Sequence, residues 1–267
     1  MFLFRWMVSL ILCVTAVTGC YAQVGFVVSP AKIYFNAKGA GEQTARLHLN
    51  NSSNTRLVLQ AECADWRRDS TGTKVYSAAG SLPTSCCALV QVSPSIIELE
   101  AGEERDVLVT MRPGAAALSG GLHNGMLMLT QTNEHEAARL RGGSQFIIKT
   151  QIGVHVYVLP EEAGPPAIAI TGMQVARAGE DYSVNVKVHN TGGTLLESIV
   201  RLEYTNLETM EEVKAEPVPV NTMPKDAFSV VAAVPKQLPP GKYLIVAMLD
   251  SGPGHALKVA ELETVLK

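Results

Sequence analysis

The side chains able to do chemistry are thinly spread along this chain. Six histidines, His48, His123, His135, His155, His189 and His255, recur at no common spacing. No HExxH, second CxxC or HxxxH pattern sets up a metal site. There is no GxSxG elbow, and no glycine-rich loop between a strand and a helix to cradle phosphate. The acidic doublets Glu103-Glu104, Glu161-Glu162 and Glu211-Glu212 fall at expected turns or strand ends and read as solvated charge. No enzyme activity, metal or cofactor is expected, which leaves binding.

Cysteine chemistry depends on where the chain goes. Residues 1–22 carry Arg5, an apolar run from Trp6 to Val17 and small residues behind it. That run is short for a membrane span and has the order of an export signal, to be removed from the mature protein. Two cuts compete. VTGC at 17–20 has the form of a lipoprotein signal, in which Cys20 becomes the lipid-bearing first residue, whereas a cut after Ala22 leaves Gln23 as the start of a soluble periplasmic product. Membrane attachment is expected only through a lipid on Cys20. Export leads to an oxidising compartment, so a bridge from Cys63 to Cys86 or to Cys87 is expected, with one thiol left over. The alternative is that all three are small buried hydrophobes.

Length and charge narrow the classes further. The chain has 267 residues, 47% of them hydrophobic, with 22 glycines, 14 prolines and a formal charge of -3. That is enough for two domains of ordinary size, each with a core. The near-neutral balance offers no electrostatic footprint for nucleic acid.

The element best suited to present a binding surface is 144–160, SQFIIKTQIGVHVYVLP. It is rich in β-branched and aromatic residues and ends at a proline, the pattern of a long strand. Phe146, Ile148, Ile152, Val154, Val156 and Val158 alternate onto one face with Thr150 among them, and Lys149, Gln151, His155 and Tyr157 lie on the other. Such a strand on a sheet edge invites pairing with another chain; inside a sheet, its apolar face merely fills the core.

Short alternating segments precede it: 26–35 interrupted by Pro30, 44–50, 56–66, 74–77, the CCALVQVSP stretch, IIELEAGEERDVLVTM with Val107, Val109 and Met111 facing inward, and 122–133. Pro30 implies an edge position or a strand that changes sheets. The charged segment 133–143 reads as a solvated hairpin loop. No helical period is apparent. After PEEAGPP, seven more strands are expected, in AIAITGMQVA, DYSVNVKVHNTG, LESIVRLEYTN, MEEVKAE, AFSVVAAVP, KYLIVAMLDSG and ALKVAELETVL. The chain is therefore read as all-β, two tandem immunoglobulin-like β-sandwiches over 23–160 and 161–267, hinged near 160–166.

From about 26 to 160 the residues resemble the PapD-like periplasmic pilus chaperones. The carriers are SPAKIYFNAKGAGEQTARLHLNNSSN, the element IELEAGEERDVLVTMRP in which Leu99 stands shortly before an AG pair, and the charged loop followed by a long strand ending in YVLP. The resemblance implies a periplasmic chaperone for subunits of a pilus or other surface appendage, with an outer-membrane usher as a further partner. It implies that Phe146, Ile148, Thr150, Ile152 and Val154 fill the groove of an incomplete subunit as an added strand. It implies also that the subunit's terminal carboxylate is anchored in the cleft by Lys32 and, counting back from Pro160, by His155, where the family has a second basic residue. A lipid-anchored envelope module with the same fold is the alternative reading.

Overall fold

The structure is a computed structural model that describes residues 25–38, 41–112, 120–141, 147–179 and 181–267. The expected export signal, Cys20 and Phe146 lie outside the described residues. Within them the regular structure is almost wholly strand, arranged as two β-sandwiches in tandem.

The first sandwich packs a four-stranded sheet on a six-stranded one. The strands β1 (Val27–Ser29), β3 (Gln43–Asn50), β8 (Glu104–Met111) and β6 (Val90–Ser93) make the smaller sheet, in the order β1-β3-β8-β6. The larger runs β2 (Lys32–Asn36), β10 (Gln151–Leu159), β9 (His123–Gln131), β4 (Leu57–Arg68) and β5 (Lys74–Ser77), with β7 (Ile96–Leu99) also on β4. Proline breaks divide neighbouring segments between sheets. β1 and β2 flank the cis Ser29–Pro30 bond, so the interrupted strand 26–35 changes sheets, and β6 and β7 are likewise divided at cis Ser93–Pro94. Proline has no N–H for a ladder, so these are positions where pairing can stop and restart elsewhere.

Alternation decides what is buried. Leu47, Leu49, Val107, Val109 and Met111 from one sheet meet Leu57, Leu59, Leu127, Leu129, Val154 and Val156 from the other, all essentially without solvent contact. Each such side chain contributes about 1.5–3 kcal/mol of burial, so a one-residue slip in any strand would forfeit the core.

Two expectations are corrected here. The regular strand begins at Gln151, and residues 147–150, expected to belong to it, precede the ladder with β9. The segment read as a loop at 133–143 contains a helix, α1 (Glu134–Arg141), with Glu134 and Glu136 in its first turn, where acidic groups complement the N-terminal end of the helix dipole.

In the second sandwich β11 (Ile168–Ala178), β12 (Asp181–Asn190) and β16 (Ala227–Ala233) oppose a sheet in the order β14 (Glu212–Lys214), β13 (Leu196–Asn206), β17 (Gly241–Asp250) and β18 (Lys258–Leu266), with β15 (Val218–Thr222) also on β13. β15 is absent from the seven strands expected, since Pro217 and Pro219 mask its alternation. The two sandwiches repeat one device. Asn51, just after β3, bonds the carbonyls of Thr55, Leu99 and Glu100 through Nδ2, and Asn190, ending β12, bonds those of Thr194 and Thr222. Each amide thus satisfies buried carbonyls where a strand becomes a turn.

Candidate functional site: an open strand edge beside a charged cleft

β10 has two different halves. From His155 to Leu159 it lies between β9 and β2, in register with Lys32 through Asn36 on the β2 side. From Gln151 to Val154 only β9 is paired with it among the described residues. Hydrogen bonding shows which groups the open half presents. The Gln131 N–H donates to the Thr150 carbonyl at 2.9 Å, and the His155 N–H donates to the Ala31 carbonyl on the opposite side at 3.0 Å. Strand amides alternate direction, so the N–H and C=O of Gln151 and Gly153 point away from β9 toward the side where no described strand pairs. Unpaired edge amides of this kind are a template for another strand.

Side chains on this edge form a gradient. Ile148 is 65% exposed and Ile147 46%, Ile152 is half-buried against the core, and Val154 is wholly buried. The expectation that Val154 contacts a client is corrected, because its side chain is already consumed by the core of its own sandwich. Thr150 is half-buried, and a methyl on Gly25 would lie 3.7 Å from its Oγ1. Ile147 was missed by the sequence reading, which tracked only the even-numbered face. Lys149 Nζ stands 3.8 Å from Glu134 of α1.

The other expected residues meet in the cleft between sandwiches. In-register pairing of β2 with β10 puts Lys32 beside His155. Lys32 Nζ is ion-paired with Oε1 of Glu197 from β13, and Tyr34 Oη donates to the same oxygen at 2.9 Å. These donors hold the Glu197 carboxyl below the usual carboxylate range, Lys32 first. His155 does not match its expected role. Its ring lies 4.8 Å from Trp66 and stacks 5.8 Å from Tyr157, and burial, with Lys74, Arg68 and Lys32 nearby, pushes its pKa down to about 4. A neutral imidazole has no positive charge to pair with a carboxylate at neutral pH.

The cation that sequence reasoning missed is Lys74. β5 pairs it with Arg68 of β4, and its Nζ lies 5.8 Å from the Trp66 ring. Burial, then Arg68 and Lys32, lower its pKa, and no ion-pair partner is present among the described residues. Arg68 is committed, donating to Asp226 of the second sandwich at 2.8 Å with both side chains about nine-tenths buried. Burial holds Asp226 above its usual range despite the Met223 N–H and Arg68. The cleft thus carries Lys32, Arg68 and Lys74 against Glu197 and Asp226, an excess of one positive charge. No spacing rule could assemble this set, since its members are contributed by four strands and a turn.

The three cysteines also lie in the larger sheet's neighbourhood. Cys63 and Cys87 form a disulfide with Cα atoms 5.5 Å apart, and Cys86 is a free, buried thiol that burial pushes up to about 12. Cys86 and Cys87 lie outside any strand, and it is the Cys87 sulfur that bonds to Cys63. The loop before them is pinned by buried Asp65, which accepts from Leu82 N–H at 2.8 Å and from Ser85 Oγ. Burial alone would raise Asp65, but these bonds outweigh it and hold the carboxyl low. Among the described residues, no group of side chains could hold a metal ion and no helix is long and apolar enough to cross a membrane.

No family model and no curated protein matches this chain. Solved structures similar to it include a chaperone–tip adhesin complex of CFA/I fimbriae biogenesis, at 10% identity and TM-score 0.47 over 91% of this chain and 99% of that one. Another is the CsuC–CsuE chaperone–tip subunit pre-assembly complex from the Csu pili of Acinetobacter baumannii, at 12% identity and TM-score 0.43 over 77% and 89%. The Escherichia coli chaperone DraB is similar at 14% identity and TM-score 0.43 over 89% and 98%.

Proposed function

We propose that the protein is a periplasmic chaperone that holds an incomplete sandwich subunit of a surface appendage by adding the open half of β10 to it as a strand. The observation that carries this reading is the change in β10 at His155, downstream of which both edges are paired and upstream of which, among the described residues, only β9 pairs with it. A client strand would bond to the outward amides of Gln151 and Gly153 while Ile148, Thr150 and Ile152 fill its groove. Ile148 and Ile147 are too exposed to serve this protein's own core, which is the cost expected of a surface kept for a partner. The client's terminal carboxylate would sit in the cleft on Lys32 and Lys74, the latter taking the role that neutral His155 cannot fill. An outer-membrane usher is the further partner proposed.

Replacing Ile148, which is 65% exposed and outside the core, with Asp tests the reading. Capture of a co-expressed subunit in the periplasm should be abolished while the far-ultraviolet spectrum and melting of the free protein stay near wild type; undiminished capture refutes the added-strand mechanism. For the soluble form, the mass of the mature chain should begin at Gln23, and a diacylated Cys20 would favour the lipid-anchored alternative.

A further inference from the structure

The anchor proposed for a client carboxylate already holds one. Glu197 is contributed by the second sandwich, 165 residues from Lys32, and its Oε1 takes both the Lys32 ammonium and the Tyr34 hydroxyl. An ammonium with a neutral O–H donor beside it is also a sound recognition set for the carboxylate that ends a protein chain. The pair is built to exchange, since the Glu197 side chain is 54% exposed and that of Lys32 is 32% exposed. Solvated ion pairs of this sort hold weakly. Asp226, by contrast, is sealed against Arg68 and is not available to be displaced.

We propose that Glu197 is a resident competitor which occupies the Lys32–Tyr34 seat in the free protein and must yield it to the terminal carboxylate of an incoming client. This rests on the chaperone reading above and adds a specificity-determining residue to it. A chain ending in a free carboxylate recovers the ion pair that it breaks, whereas an internal segment crossing the cleft does not. The cleft thereby discriminates for chain ends. Displacement also unties one of the two interdomain ion pairs found among the described residues, leaving Arg68–Asp226 in place.

Calorimetric titration with a synthetic peptide of alternating valine and threonine, about ten residues long and prepared as both free acid and C-terminal amide, tests the proposal. Glu197→Gln should tighten binding of the acid roughly two- to five-fold, the scale of a solvated ion pair, and leave the amide unchanged. The gain should vanish in the double variant with Lys32→Gln, since a general change of field would survive that substitution and a competition for Lys32 would not. Unchanged or weaker acid binding by Glu197→Gln, in a wild type that prefers acid over amide, overturns the competitor role alone. Equal binding of acid and amide by every variant overturns the carboxylate anchor and the competitor together. Failure of both peptides to bind any variant overturns the added-strand reading first, and this inference with it.

Discussion

His155 shows how a residue type can be assigned correctly to a place and wrongly to a role. Its position next to Lys32 follows from the count back from Pro160, but the Trp66 indole above it and three cations around it remove the charge that the role needs. The consequence is measurable. Its folded pKa of about 4 lies below the ordinary 6.5, so between these values the unfolded chain binds the extra proton and the folded chain does not. The group therefore contributes stability near neutrality that is lost as pH falls through about 6.5 to 4. His155→Gln should flatten this limb by about 1–2 kcal/mol once solvent screening at its exposed edge is allowed for. Urea unfolding at pH 7 and pH 4.5 would detect it, and parallel losses in both proteins would count against it. Gly125 is a second residue whose importance is invisible in one dimension. A methyl there would meet the sulfurs of Cys86, Cys63 and Cys87 at 3.0, 3.1 and 3.3 Å. Two of the three are locked in a disulfide and cannot step aside. Gly125→Ala should cost about 1–3 kcal/mol in urea unfolding, and wild-type stability would show that the sulfurs can move.

At the scale of the element, β10 combines core strand and open edge along one run, and its composition does not mark the change. Alternation is the same on both sides of His155; what differs is that β2 starts at Lys32, after Pro30 has sent β1 to the other sheet. The two uses can be separated by substitution. At Gln151 the N–H points to the free side, so Gln151→Pro should leave the β9 ladder and thermal stability near wild type while removing a hydrogen bond to an added strand. Client capture should fall sharply. Full capture by a stable Gln151→Pro variant would show that the backbone of this edge is not used. The helix α1 was missed for a related reason. Eight residues with Leu140 as their one large apolar side chain make too little of an apolar stripe to register as periodicity, although the acidic first turn was visible in the sequence.

For the whole molecule, the decisive feature is how the second sandwich meets the first. Trp66, Leu122, Met126 and Tyr157 of the first enclose Met223 of the second, and the Ser229 N–H donates to the Ser70 carbonyl across the junction. Arg68 stacks over Phe228 and Trp66 while it pairs with Asp226. Removing one partner of so buried a pair strands the other, at a cost of about 3 kcal/mol. Arg68→Ala should thus loosen the junction, and calorimetry should show the sandwiches melting as two separated transitions. A single transition at the wild-type Tm would mean that the apolar contacts hold the junction unaided.

Strand alternation, the proline breaks and the cysteine count were enough to specify a tandem all-β architecture, because burial on one face of each strand leaves a period of two in the chain itself. They were enough also to single out β10, whereas Lys32 was singled out only by the resemblance to the PapD-like chaperones. Which half of β10 stays open, which cysteine reaches Cys63, and that Lys74 and Glu197 rather than His155 supply the charges of the cleft were settled only by packing. An edge is defined by what fails to pair with it, and a side chain's charge by its neighbours from distant strands. Neither property is carried by a residue's place in the sequence.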